Sequence, residues 1–89
     1  MNILSANTIS SKAPTGTVIG QFSHAGASGG QYVLDQEAQV FFSVNTKNQL
    51  VWSPAPGIGM ATGFYPINVS AIFSGYDTED SQFIIQVTP

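Results

Sequence analysis

The chain has no cysteine and no arginine, and its only lysines are Lys12 and Lys47. Without cysteine there is no disulfide, no thiolate metal site and no thiol nucleophile. Charged residues make up 8% of the 89 residues and the net charge is -3, against roughly 25% charged residues in an average soluble domain. Such a chain cannot neutralise a row of phosphates, so nucleic acid is not an expected partner. Anionic membrane surfaces are disfavoured for the same reason. No apolar run approaches the ~18 residues of a membrane span, and no basic stretch followed by an apolar core follows Met1. His24 is the only histidine. Standing in a glycine-rich stretch without clustered acids, it reads as an exposed loop residue and not as a metal ligand or a triad base. Helical periodicity is missing too, because Gly or Pro interrupts nearly every window long enough to hold an apolar stripe.

What is present is apolar residues at strand spacing. The 43% apolar fraction, with 11% aromatics, is enough to fold as one domain over residues 1–89 near the lower size limit for a self-sufficient core. Stability must come from that core, a partner or self-association. Ile3-Leu4 and Thr8-Ile9 read as a split first strand able to pair with either sheet. Thr17–Phe22 places Val18, Gly20 and Phe22 on one face and Thr17, Ile19 and Gln21 on the other. Gln31–Leu34 is a short strand, and Val40, Phe42 and Val44 alternate inward. Asn45–Asn48 is a polar turn, after which Leu50 and Trp52 face the core. Ser53–Gly63, with two prolines and three glycines, is a long loop. Tyr65, Ile67, Val69, Ala71 and Phe73 form the inner face of the strongest strand, and Ser74–Asp80 is an acidic turn. Phe83, Ile85 and Val87 line the last strand. Six to seven short strands at this spacing predict an all-β antiparallel sandwich.

The run Pro14-Thr15-Gly16-Thr17-Val18-Ile19-Gly20, followed at a distance by Tyr65-x-Ile67-x-Val69-x-Ala71 and Phe83-x-Ile85-x-Val87, resembles a cadherin-like repeat of the immunoglobulin-like sandwiches. The resemblance runs from about Ile3 to Val87. Domains of this kind occur in bacterial surface proteins and in structural proteins of tailed bacteriophages. Their calcium motifs are absent here: Ser11 and Lys12 precede the Pro-Thr-Gly turn, 24–30 has no acid, and 53–63 lacks Leu-Asp-x-Glu. Leu34-Asp35-Gln36-Glu37 has the right letters after the wrong strand. The resemblance therefore implies an immunoglobulin-like sandwich without metal or cofactor.

Candidate sites are few. Asp77, Glu79 and Asp80 offer fewer oxygens than a hard cation requires and read as a solvated turn. Asn68-Val69-Ser70 matches the glycosylation pattern but falls in mid-strand, whereas such acceptors prefer exposed loops. Trp52 reads as core. In the long loop Ile58 and Met60, standing between glycines that include Gly57 and Gly59, form an apolar tip suited to contact. Phe41, Ile72 and Tyr76 stand on outward strand phases, where they either extend that surface, cover a second apolar patch or lie under a folded-over edge of the sandwich, and the segment Gly26–Gly30 is a further contact candidate. No pair of carboxylates, phosphate loop or basic patch supports catalysis.

The expectation is a non-enzymatic structural or binding module with Gly57, Ile58, Gly59, Met60 and Tyr76 as partner-binding residues. Its expected partners are protein (a capsid or tail lattice, or another copy) and surface glycans. The resemblance implies a phage virion decoration or tail-associated protein at the virion surface that aids adhesion to the host. Two alternatives stay open. One is a cadherin-like repeat of a bacterial surface or secreted adhesin; the other is a carbohydrate-binding module in which Trp52, Tyr65 or Tyr76 would offer a ring to sugar.

Overall fold

A computed structural model describes residues 2–24, 30–54, 61–73 and 77–89. These residues form two packed sheets of four strands each. The strands are β1 (Asn2–Leu4), β2 (Thr8–Ser10), β3 (Val18–His24), β4 (Gln31–Leu34), β5 (Phe42–Val44), β6 (Gln49–Trp52), β7 (Gly63–Ile72) and β8 (Glu79–Thr88). One sheet has the order β1-β3-β6-β5 and the other β2-β8-β7-β4. The strand count is eight among the described residues, not six to seven, because the first strand divides into two that join different sheets. Pairing is not wholly antiparallel either, since β2 runs parallel to β8 while β1 runs antiparallel to β3.

The division has a local cause. Between the halves, Ser5 N–H donates to Gln21 O (3.0 Å) and Gln86 N–H donates to Asn7 O (2.8 Å), so the segment lets go of one sheet and takes hold of the other. Ala6 lies between these bonds, directly over Gly20. A Cβ on Gly20 would stand 2.4 Å from Ala6 O and 2.9 Å from Ala6 N. The glycine of the Thr-Val-Ile-Gly run is thus required by close backbone approach. Gly16 of the same run has φ +99° in a turn closed by Thr17 N–H to Pro14 O (3.2 Å), a left-handed position that suits glycine.

The core lies between the sheets. Leu50, Ala71 and Ile85 are fully buried, and Phe42, Ile67, Val69, Trp52, Phe22 and Val87 nearly so. The period-two reading of β7 and β8 is what the structure contains; in β6 Leu50 and Trp52 are buried as expected, but Val51 between them is buried as well. Trp52 anchors one end: its indole N–H donates to Ala13 O (3.1 Å) and its ring lies 5.9 Å from Phe42. Burying side chains of this size contributes about 1.5–3 kcal/mol each.

Two stretches depart from simple alternation. In β3 the register slips between Val18 and Gly20; this bulge turns Ile19 inward (7% exposed) and Val18 outward (46%), reversing the expected phase up to that point. Val40, expected inward, ends a 3-10 turn (Ala38–Val40) and is exposed, with Ala38 buried instead. Phe41, expected outward, is half-buried, its ring 6.0 Å from Tyr65 and packed against the core.

Candidate functional site

Gly57, Ile58, Gly59, Met60 and Tyr76, the partner-binding residues expected from sequence, lie outside the described residues, as do positions 26–29 of the glycine-rich segment. Gly30, which closes that segment, sits against the Phe73 ring, where a Cβ would come within 2.3 Å of Cδ1. The structure places three other groupings where a contact or a reaction could be sought.

The first joins the two sheets. His24 is not a loop residue but the last residue of β3, its ring 5.1 Å from Phe73 and its Nε2 3.2 Å from Glu79 Oε1. Asn2 N–H donates to Glu79 Oε2 (2.8 Å), and the Asn2 carboxamide donates to Glu79 O (3.1 Å) and Ser81 Oγ (3.0 Å). The hydrogen bond from His24, followed by that from the Asn2 amide, holds the Glu79 carboxyl below its ordinary range. Burial, and then the negative charge of Glu79, push the Tyr32 phenol above its ordinary value. This grouping fastens β1 and β3 to β8. It also dissolves the expected acidic turn: Glu79 and Asp80 both lie in β8, where successive side chains point to opposite faces. Asp80 Oδ1 accepts a 2.6 Å hydrogen bond from Ser70 Oγ instead. Among the described residues no three His, Cys, Asp or Glu side chains converge on a cation position.

The second is a pair of adjoining open hollows along the side where the edge strands β4 and β5 face each other. They measure about 350 and 430 Å³, with Tyr32, Val44 and Asn48 among their walls. The pairing of Asp35 N–H with Asn68 O (3.0 Å) directs the main chain of Gly30, Tyr32 and Leu34 toward this side by antiparallel alternation. Two carbonyls there are already covered, Leu34 O by the Gln39 carboxamide (2.8 Å) and Gly30 O by that of Asn48 (3.3 Å). Side-chain amides thus blunt an edge that would otherwise invite strand addition.

The third was not singled out from sequence. On the outer face of the β7–β8 pair, Phe64 lies opposite Gln86, Pro66 opposite Ile84, and Asn68 opposite Gln82. Phe64 is 70% exposed and Ile84 43%, and the other four are also exposed. Pro66 is tolerated because its ring nitrogen faces the β4 side beyond the end of that strand, which reaches only to Val69, so no ladder bond is lost. The sequence signal was available: Phe64 occupies the outward phase beside Tyr65, where a polar residue is the rule. Ile72, expected outward, is exposed at the far end of the same face.

Two rings expected to serve a sugar platform are otherwise engaged. Trp52 is 2% exposed, and Tyr65 packs on Phe41 while its hydroxyl donates to Ala61 O. Comparison of the chain with protein-family models gives no match, and neither does comparison with curated proteins.

Proposed function

We propose that the chain is an immunoglobulin-like, cadherin-like sandwich acting as a non-enzymatic binding or structural module on a larger protein assembly, a phage capsid or tail lattice being the expected setting. The observation that carries the reading is the sheet order. With β1 and β2 counted as halves of one strand, the sheets run first-second-fifth-fourth and first-seventh-sixth-third. The constant-type immunoglobulin order is the same, apart from the shared first strand. Tyr65, near the start of β7, sends its hydroxyl back to Ala61 O, in the manner of the tyrosine corner of such sandwiches. The low charge of the chain, with a surface dressed in Ser, Thr, Asn and Gln, favours broad contact with a neutral partner over steering by charge.

Mass spectrometry of purified particles and of cell-surface fractions tests the setting. Recovery of the intact 9.4 kDa chain at high copy in particles is the expected result. Recovery of its peptides only within a much larger secreted polypeptide would replace the virion reading with that of an adhesin repeat.

A further inference from the structure

Three apolar side chains and three carboxamides share one stretch of sheet. Phe64, Pro66 and Ile84 form a contiguous cross-strand cluster, with Pro66 directly opposite Ile84 and Phe64 diagonal to it, within the reach of cross-strand neighbours. Gln86, Asn68 and Gln82 border the cluster at both ends. From Phe64 to Asn68 the face spans about 14 Å at the usual strand rise. None of the six carries charge. The next row inward, Ser70 and Asp80, holds a carboxylate already bonded to a hydroxyl.

The employment of the amides is the deciding detail. Among the described residues, no hydrogen bond engages the side-chain amides of Asn68, Gln82 or Gln86. Each offers two donors and a carbonyl acceptor beside an exposed aromatic ring. A dry contact with a second copy of this face would strand their hydrogen-bonding capacity wherever a carboxamide met an apolar atom and not another carboxamide. An anionic ligand finds no counter-charge, and the nearest carboxylate, that of Asp80, is already bonded to Ser70. A pyranose chain answers both demands: its axial C–H face lies on a ring and an apolar ledge, while its hydroxyls both donate to and accept from carboxamides.

We propose that the outer face of β7 and β8 is a binding platform for a neutral oligosaccharide, with the Phe64 ring as the stacking surface, Pro66 and Ile84 as its apolar ledge, and Gln86, Gln82 and Asn68 as the hydroxyl-reading groups. This relocates sugar binding from the buried Trp52 to an aromatic that is in the open. It does not depend on the virion setting, and its failure would leave the particle test untouched.

The test is a titration of the ¹⁵N-labelled protein, followed by NMR, with three probes: cellopentaose, maltopentaose and the pentamer of N-acetylglucosamine. Saturable shifts at Phe64, Asn68, Gln82 and Gln86 with at least one probe are expected, with Tyr32 and Ser43 beside the hollows unmoved. Phe64→Ala, an exposed truncation, should weaken binding about tenfold or more, in line with the loss of a central aromatic contact, and Phe64→Tyr should retain it. Should Phe64→Ala lose its folded spectrum, Gln82→Ala/Gln86→Ala serves in its place and should weaken the same binding. No saturable shift from any probe up to about 10 mM, weaker than any affinity of use here, overturns the proposal, as do shifts that survive Phe64→Ala. A concentration-dependent dimer in sedimentation, abolished by Phe64→Ala and indifferent to sugar, would likewise overturn it and make the face a self-contact.

Discussion

Around the edges and turns, carboxamides are spent on the chain itself. Asn2 ties β1 to β8, Gln21 reaches the carbonyls of Lys47 and Asn48, Gln39 and Asn48 cover the edge of β4, and Asn45 accepts from the amides of Lys47 and Gln49. On the outer face of β7 and β8, the same chemistry in Asn68, Gln82 and Gln86 is spent on nothing among the described residues. The difference separates two uses of one residue type. A short chain with no disulfide fastens exposed edges and strained turns with side-chain amides, because unpaired main-chain groups there are costly or sticky. Amides left over in a row beside an exposed phenylalanine contribute nothing visible to folding, which leaves them free for a ligand.

The largest expected effect breaks the fastened side. Gly20→Ala places a methyl 2.4 Å from Ala6 O, so the crossing between β1 and β2 must move and its flanking bonds to Gln21 and Gln86 with it. The expected loss is about 3 kcal/mol, at the upper end for forced overpacking, or a fall in Tm of roughly 12–24 °C for a domain this size. Thermal unfolding followed by circular dichroism measures it. A variant melting within a degree or two of the parent would mean that Ala6 does not cross there.

A smaller effect sharpens the junction between the sheets. Glu79 has a depressed pKa in the folded state, chiefly through its hydrogen bond with His24. Its stabilising contribution is therefore present above the ordinary value of 4.5 and is lost as pH falls through that value and below it. Glu79→Gln removes the carboxylate at every pH. The parent should be more stable than Glu79→Gln near neutrality, and the gap in denaturation midpoint should close on acidification. A gap that does not begin to narrow as the pH falls below 4.5 would show that the charge on Glu79 does not matter.

The inner faces of β7 and β8 were legible from sequence because burial there follows period two: Ile67, Val69 and Ala71 announce themselves. The exceptions arise from contacts far apart in sequence. The bulge at Ile19 answers pairing with Leu50 and Val51, and the need for glycine at position 20 comes from Ala6. His24 is drawn out of its loop by Glu79, 55 residues away. Local propensity carries no trace of these. The Phe64 face is hidden for a different reason: one exposed apolar residue on an outward strand phase is ordinary on a sheet and signals nothing until its cross-strand neighbours are known. Only the register reveals that Gln86, Ile84 and Gln82 stand opposite Phe64, Pro66 and Asn68.

The smallest effect bears most directly on the two uses of the carboxamide. Gln82→Ala/Gln86→Ala removes two side chains that hold nothing, so its unfolding free energy should stay within about 0.5 kcal/mol of the parent, as for ordinary surface positions. Asn45→Ala, measured alongside, deletes an acceptor serving two main-chain amides in the β5–β6 turn and should cost about 1 kcal/mol or more. Urea denaturation with a shared m-value resolves a difference of that size. If the double variant loses as much as Asn45→Ala, the amides of β8 are structural after all and the platform loses its main argument. If it keeps its stability, these amides are not there for the fold, as the platform requires.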